Sequence, residues 1–103
     1  MDVEPGELPE GAQLIDVRED YEWDAGRIPG SRHVELGSIA QAAETLDRDA
    51  PVVFICRVGG RSTMAAQAFR GSGYEAYSMA GGLRRWADEG RPLAPDGGSV
   101  ADH

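Results

Sequence analysis

The sequence predicts an α/β domain with a parallel sheet covered by helices. Strand-like and helix-like segments alternate along the chain, and the run Pro51-Val52-Val53-Phe54-Ile55 is apolar throughout, as a central strand buried on both faces requires. Glycines at 26, 71, 73, 81, 82 and 90 fall where these segments end.

In chain order, Leu14-Ile15-Asp16-Val17 reads as a buried strand, and a short acidic helix from about Glu19 to Ala25 follows, stopped by Gly26. Pro29-Gly30-Ser31 is a turn. Ile39, Ala42, Ala43 and Leu46 stand at helical spacing, and Asp47-Arg48-Asp49 leads to the strand Pro51 to Ile55. Ser62 to Arg70 forms a helix with Ala65, Ala68 and Phe69 on one side; Tyr74 to Met79 supplies another strand. Gly81-Gly82 turns into a last helix from about Leu83 to Glu89, with Leu83 and Trp86 sharing a face. Trp23 and Trp86 are both expected in the core.

At 103 residues the chain has room for one core, so a single domain over 3–95 is expected. The remainder, 96–103, is too polar and glycine-rich to pack and is expected to be a flexible tail. No segment approaches the ~18 apolar residues of a membrane-spanning helix, and Met1-Asp2-Val3-Glu4-Pro5 lacks signal-peptide character, so a cytoplasmic location with no membrane partner is expected. One cysteine, Cys56, forms no internal disulfide, and with only His33 and His103 beside it makes no four-ligand zinc site. Glu19, Asp20, Glu22 and Asp24 read as a solvated helix face rather than a metal site. Gly71-Ser72-Gly73 precedes a strand, not a helix, which removes a dinucleotide loop.

A net charge of −8 argues against nucleic acid as a partner. The charge is unevenly spread: no acidic residue lies between Ala50 and Tyr74, a window that holds Arg57, Arg61, Arg70 and the cysteine. Cys56 leaves the carboxyl end of the most apolar strand, and Arg57-Val58-Gly59-Gly60-Arg61 leads into the helix at Ser62. Open α/β sheets place ligand sites at this end. The double glycine allows a tight curl in which N–H groups converge, and the helix behind adds unpaired N–H groups and the positive end of its dipole. A sulfur at that focus, flanked by two arginines, is expected to be an accessible thiolate and candidate nucleophile, since a merely buried cysteine needs neither glycines nor arginines beside it. Asp16 and Arg18 read equally as a brace for the loop and as an ordinary strand-end ion pair.

The segment Cys56-Arg57-Val58-Gly59-Gly60-Arg61-Ser62 resembles the active-site loop of rhodanese-like sulfurtransferases. Leu14-Ile15-Asp16-Val17-Arg18-Glu19 with Gly26-Arg27-Ile28-Pro29-Gly30-Ser31, and Gly81-Gly82-Leu83-Arg84-Arg85-Trp86 through Gly90-Arg91-Pro92-Leu93, resemble the same family in the same order. The resemblance implies a three-layer sandwich with a five-stranded parallel sheet, a persulfide on Cys56, and no metal or organic cofactor. Arg27 departs from it, standing where the family usually has histidine.

On this reading Cys56 takes sulfur from a small anionic donor such as thiosulfate and passes it to cyanide, a thiol or a sulfur carrier. Arg57 and Arg61 bind the donor's oxygens, and the backbone from Arg57 through Val58, Gly59, Gly60 and Arg61 to Ser62 holds the persulfide. Cysteine phosphatases and arsenate reductases also use a thiolate in an anion loop, but place five residues between cysteine and arginine where this chain has four. The same residues are also compatible with a non-catalytic interaction module and with a redox or sulfide sensor.

Overall fold

The computed structural model describes residues 1–102 and contains one all-parallel sheet of five strands. These are β1 (Asp2–Val3), β2 (Gln13–Asp16), β3 (Arg32–His33), β4 (Val52–Ile55) and β5 (Ala76–Met79), in the spatial order β1-β5-β4-β2-β3. Four helices accompany them: α1 (Asp20–Ala25), α2 (Ile39–Ala42), α3 (Gly60–Gly71) and α4 (Gly82–Asp88). The arrangement is the expected α/β sandwich. No described helix is long and apolar enough to cross a membrane.

Strand β4 runs down the middle because every one of its side chains has an apolar partner on one face or the other. Val52 and Phe54, continued by Cys56, join Ile15, Val17, Ala65, Ala66 and Phe69 beneath α3, while Val53 and Ile55 pack with Met79, Leu83 and Trp86 beneath α4. The period-two alternation of a strand therefore decides which helix the cysteine faces, and that helix is α3. Pairing of Asp16 with Ile55, and of Phe54 with Ser78, brings the carboxyl ends of β2, β4 and β5 to one edge.

Four features differ from the sequence-based expectations. Strands β1 and β3 are two residues each and carry no apolar run that would announce them; they pair at the two edges of the sheet. The helix expected from Ile39 to Leu46 is a four-residue α2 between 3₁₀ turns at Leu36–Ser38 and Ala43–Thr45, which still presents Ile39, Ala43 and Leu46 to the core. Trp23 is half-buried rather than core: its ring stacks on His33 at 4.9 Å, and the Arg27 guanidinium lies 4.9 Å from its centroid.

The fourth concerns the segment after Pro95, which composition marks as unable to pack. Ser99 N–H donates to the Ala25 carbonyl, Val100 joins the cluster around Ile28 and Trp86, and the Tyr21 hydroxyl donates to the Asp102 carbonyl. One valine and a few backbone bonds suffice where the body already offers a surface, which a composition average cannot register. His103 lies outside the described residues.

Candidate active site

The loop from Cys56 begins where β4 ends and closes on the first turn of α3, two residues earlier than the expected start at Ser62. Gly59 sits at φ +124°, a conformation side chains rarely adopt, and so turns its N–H onto the Cys56 Sγ at 3.0 Å. The Ser62 Oγ lies 3.3 Å from the same sulfur. The first intrahelical bond of α3 runs from Thr63 N–H to the Gly59 carbonyl, so the N–H groups of Gly60, Arg61 and Ser62 have no acceptor within the helix.

Helix α4 fixes the start of the loop from beneath. Leu83 N–H donates to the Cys56 carbonyl at 2.8 Å and Arg84 N–H to the Arg57 carbonyl at 2.9 Å. In a trans peptide C=O and N–H point opposite ways, so these bonds turn the N–H groups of Arg57 and Val58 away from α4. The approach is close enough to require glycine. A Cβ on Gly82 would stand 2.5 Å from the Arg57 carbonyl oxygen, and its φ is +61°. Gly82 thus packs directly against the loop, although in sequence it reads as a turn residue within a family-like segment and not as part of the site.

Cys56, expected from the sequence to be accessible, is recessed, with 1% of its surface exposed. The curl of the loop folds over it. A cavity of about 250 Å³ lined by Cys56, Arg57, Val58, Gly60 and Arg61 opens beside it, so the sulfur is reached through this cleft. Val58 is exposed at the rim.

The two arginines do different work. Both Nη atoms of Arg61 bond the Glu22 carboxylate, at 2.7 and 2.9 Å, and this bond, more than the accompanying charge attraction, holds the guanidinium above its usual range. Glu22 itself is completely buried and also accepts from Glu19 N–H in a reciprocal capping box. The acidic helix, solvated by its composition, therefore buries one of its carboxylates, because Arg61 reaches across from α3 to neutralise it. Arg57 keeps a buried Nε without a partner, while its Nη2 meets the exposed Asp102 carboxylate at 3.1 Å. Of the two, Arg57 is the one with a buried donor that lacks a partner.

Asp16 and Arg18 form a fully buried pair, in which Arg18 Nε and Nη2 donate to the carboxylate and Nη2 also reaches the Gly26 carbonyl at 2.7 Å. Among the described residues neither side chain is hydrogen-bonded to the cysteine loop. They tie the end of β2 to the stop of α1, and α1 in turn carries Glu22. His33, which carries no usable signal in sequence, bonds the Arg18 carbonyl through Nε2 at 2.7 Å and extends this frame.

A single cysteine in an amide-lined loop at the carboxyl edge of a parallel sheet defines an α/β protein with a candidate cysteine active site, and the comparisons place it further. The rhodanese-like domain family matches residues 6–89, and this chain belongs to that family. YtwF of Bacillus subtilis is 41% identical over 86 residues, covering 84% of each protein. The thiosulfate sulfurtransferase GlpE of Pseudomonas aeruginosa is 39% identical over 77 residues, 74% of this chain and 70% of GlpE. A crystal structure of a rhodanese-related protein from Thermoplasma volcanium has a TM-score of 0.84 at 27% identity, over 90% of this chain and 96% of that one.

Proposed function

We propose that this chain moves sulfane sulfur from a small anionic donor, thiosulfate in the simplest case, to cyanide or a thiol through a persulfide on Cys56. The observation that carries the reading is the sulfur itself, which receives the Gly59 N–H at 3.0 Å and borders a cleft lined by loop residues. Kinship to GlpE supports the choice of donor.

In the first half-reaction the Cys56 thiolate attacks the outer sulfur of thiosulfate. The S–S bond of the donor breaks, and sulfite departs with the electron pair. The negative charge then rests on the outer sulfur of the persulfide, in a cleft where the free N–H groups at the start of α3 can stabilise it. In the second half-reaction an acceptor thiolate or cyanide bonds to that outer sulfur, and Cys56 Sγ leaves with the electron pair. No proton moves in either step, so no general base is needed. Arg57, with its unpartnered Nε, binds the donor's oxygens; Arg61 contributes its field and anchors the loop to α1.

The test is intact-mass measurement after incubation with thiosulfate. One labile sulfur is expected on the wild type and none on Cys56→Ser, which also loses thiocyanate formation while keeping its fold. Turnover retained by Cys56→Ser would overturn the reading.

A further inference from the structure

Behind the cysteine lies a line of side-chain hydroxyls that the mechanism above does not use. Ser62 and Ser78 are both buried, with their Oγ atoms 2.7 Å apart. Ser78 comes from β5, sixteen residues further along the chain, and receives the Thr63 hydroxyl at 3.4 Å. Ser62 is 3.3 Å from Cys56 Sγ.

Counting protons orders this line. Ser62 has one hydrogen and three neighbours able to take it: Sγ, the Gly59 carbonyl at 3.1 Å and Ser78 Oγ. The Gly59 carbonyl already accepts the Thr63 N–H at 3.0 Å and does not need a second donor. If Ser78 donates to Ser62, the Ser62 hydrogen is left for the sulfur. Thr63, half-buried at the outer end, completes the donor to Ser78. Each hydroxyl polarises the next, and the chain ends on Sγ.

We propose that Ser78 is a positioning residue of the sulfur-transfer reaction, directing the Ser62 hydroxyl at Cys56 Sγ when that atom becomes the leaving group. This rests on the persulfide reading above. In the persulfide, charge sits on the outer sulfur and the Ser62 hydrogen can rest on the Gly59 carbonyl. When the acceptor bonds the outer sulfur, the S–S bond breaks toward Sγ, and the hydrogen turns to meet the returning electron pair. No atom is transferred by the serines. Loading depends on the relay far less, because a better-stabilised thiolate is more abundant but less nucleophilic, and the two effects oppose each other.

The two half-reactions therefore separate this role from a structural one. Wild type and Ser78→Ala are loaded with thiosulfate, freed of excess donor, and discharged with cyanide in single turnovers. Loss of one relayed bond to a charged sulfur is expected to slow discharge about three- to tenfold in Ser78→Ala, with loading changed by less than about twofold. Ser62→Ala should show the same imbalance, and adding Ser78→Ala to it should slow discharge no further. Ser78→Thr, which keeps the hydroxyl, should recover the discharge rate. Equal slowing of both halves, an unchanged discharge rate, or full additivity with Ser62→Ala would overturn the proposal. If the wild type acquires no sulfur at all, the persulfide reading fails instead; if it loads and discharges normally while the serine variants match it, only the relay fails.

Discussion

Substituting Glu22 by alanine tests whether the cysteine loop is held from the side by a buried ion pair. The Glu22 carboxylate has no exposed surface, and the Arg61 side chain retains 19%, so removing the acid leaves a mostly buried guanidinium without its counter-charge. Breaking a buried pair in this one-sided way costs ~3–5 kcal/mol. Arg61 can turn part of its charge into the open cleft, which places the expected loss near the lower end, about 3 kcal/mol. For a domain of this size that corresponds to a fall in Tm of roughly 12–18 °C. Glu22→Gln keeps an oxygen for Arg61 and the Glu19 N–H, and should fall between alanine and wild type. Circular dichroism melts and urea titrations measure this directly, with the m-value unchanged if only stability is affected. A Glu22→Ala protein within about 1 kcal/mol of wild type would show that Arg61 re-solvates freely and that the pair does not fix the loop.

Other outcomes follow from the same geometry. Gly82→Ala forces a Cβ against the Arg57 carbonyl at a left-handed φ, and should lower stability by ~2 kcal/mol or more and abolish sulfur loading, as read by melting and intact mass. Arg57→Ala should raise the KM for thiosulfate by about tenfold or more, the value of a charge-assisted hydrogen bond, while Asp102→Asn should lower it by no more than about fivefold, because that carboxylate is 94% exposed and its pair is screened. Arg85 holds the Glu4 carboxyl below its ordinary 4.5, chiefly by hydrogen bonding, and Arg91 with Arg85 does the same for Glu89. A carboxyl depressed in the folded state adds stability above its unfolded pKa and loses it as pH falls through the folded value. The Tm gap between wild type and Arg85→Ala should therefore be small and salt-sensitive at neutral pH and close as the pH drops below about 4.5.

Much of this is legible in sequence where local chemistry matches final position. Val52 to Ile55 reads as a strand buried on both faces, as it is, and Cys56 with its glycines and arginines stands out as a candidate active-site loop before any contact is known. The parts that escape depend on residues brought together from afar. Glu22 looks like one more surface acid until Arg61 arrives from α3, thirty-nine positions on. Ser78 is an ordinary strand serine until Ser62 faces it. Strands β1 and β3 exist because an edge of the sheet is available for them, not because two residues have any preference of their own. Two arginines in one short loop suggest equal duties for Arg57 and Arg61; their different partners set them apart.

Support for the loop comes from two directions: carbonyls seated on the first turn of α4, and a guanidinium bolted to α1. The cysteine heptapeptide is thus a keystone whose outline is cut by its neighbours. Grafting Cys56 to Ser62 alone onto another parallel sheet would carry over the letters and leave behind the shape, whereas a transplant that also brought Glu22 and Gly82 would bring the mould along with the casting.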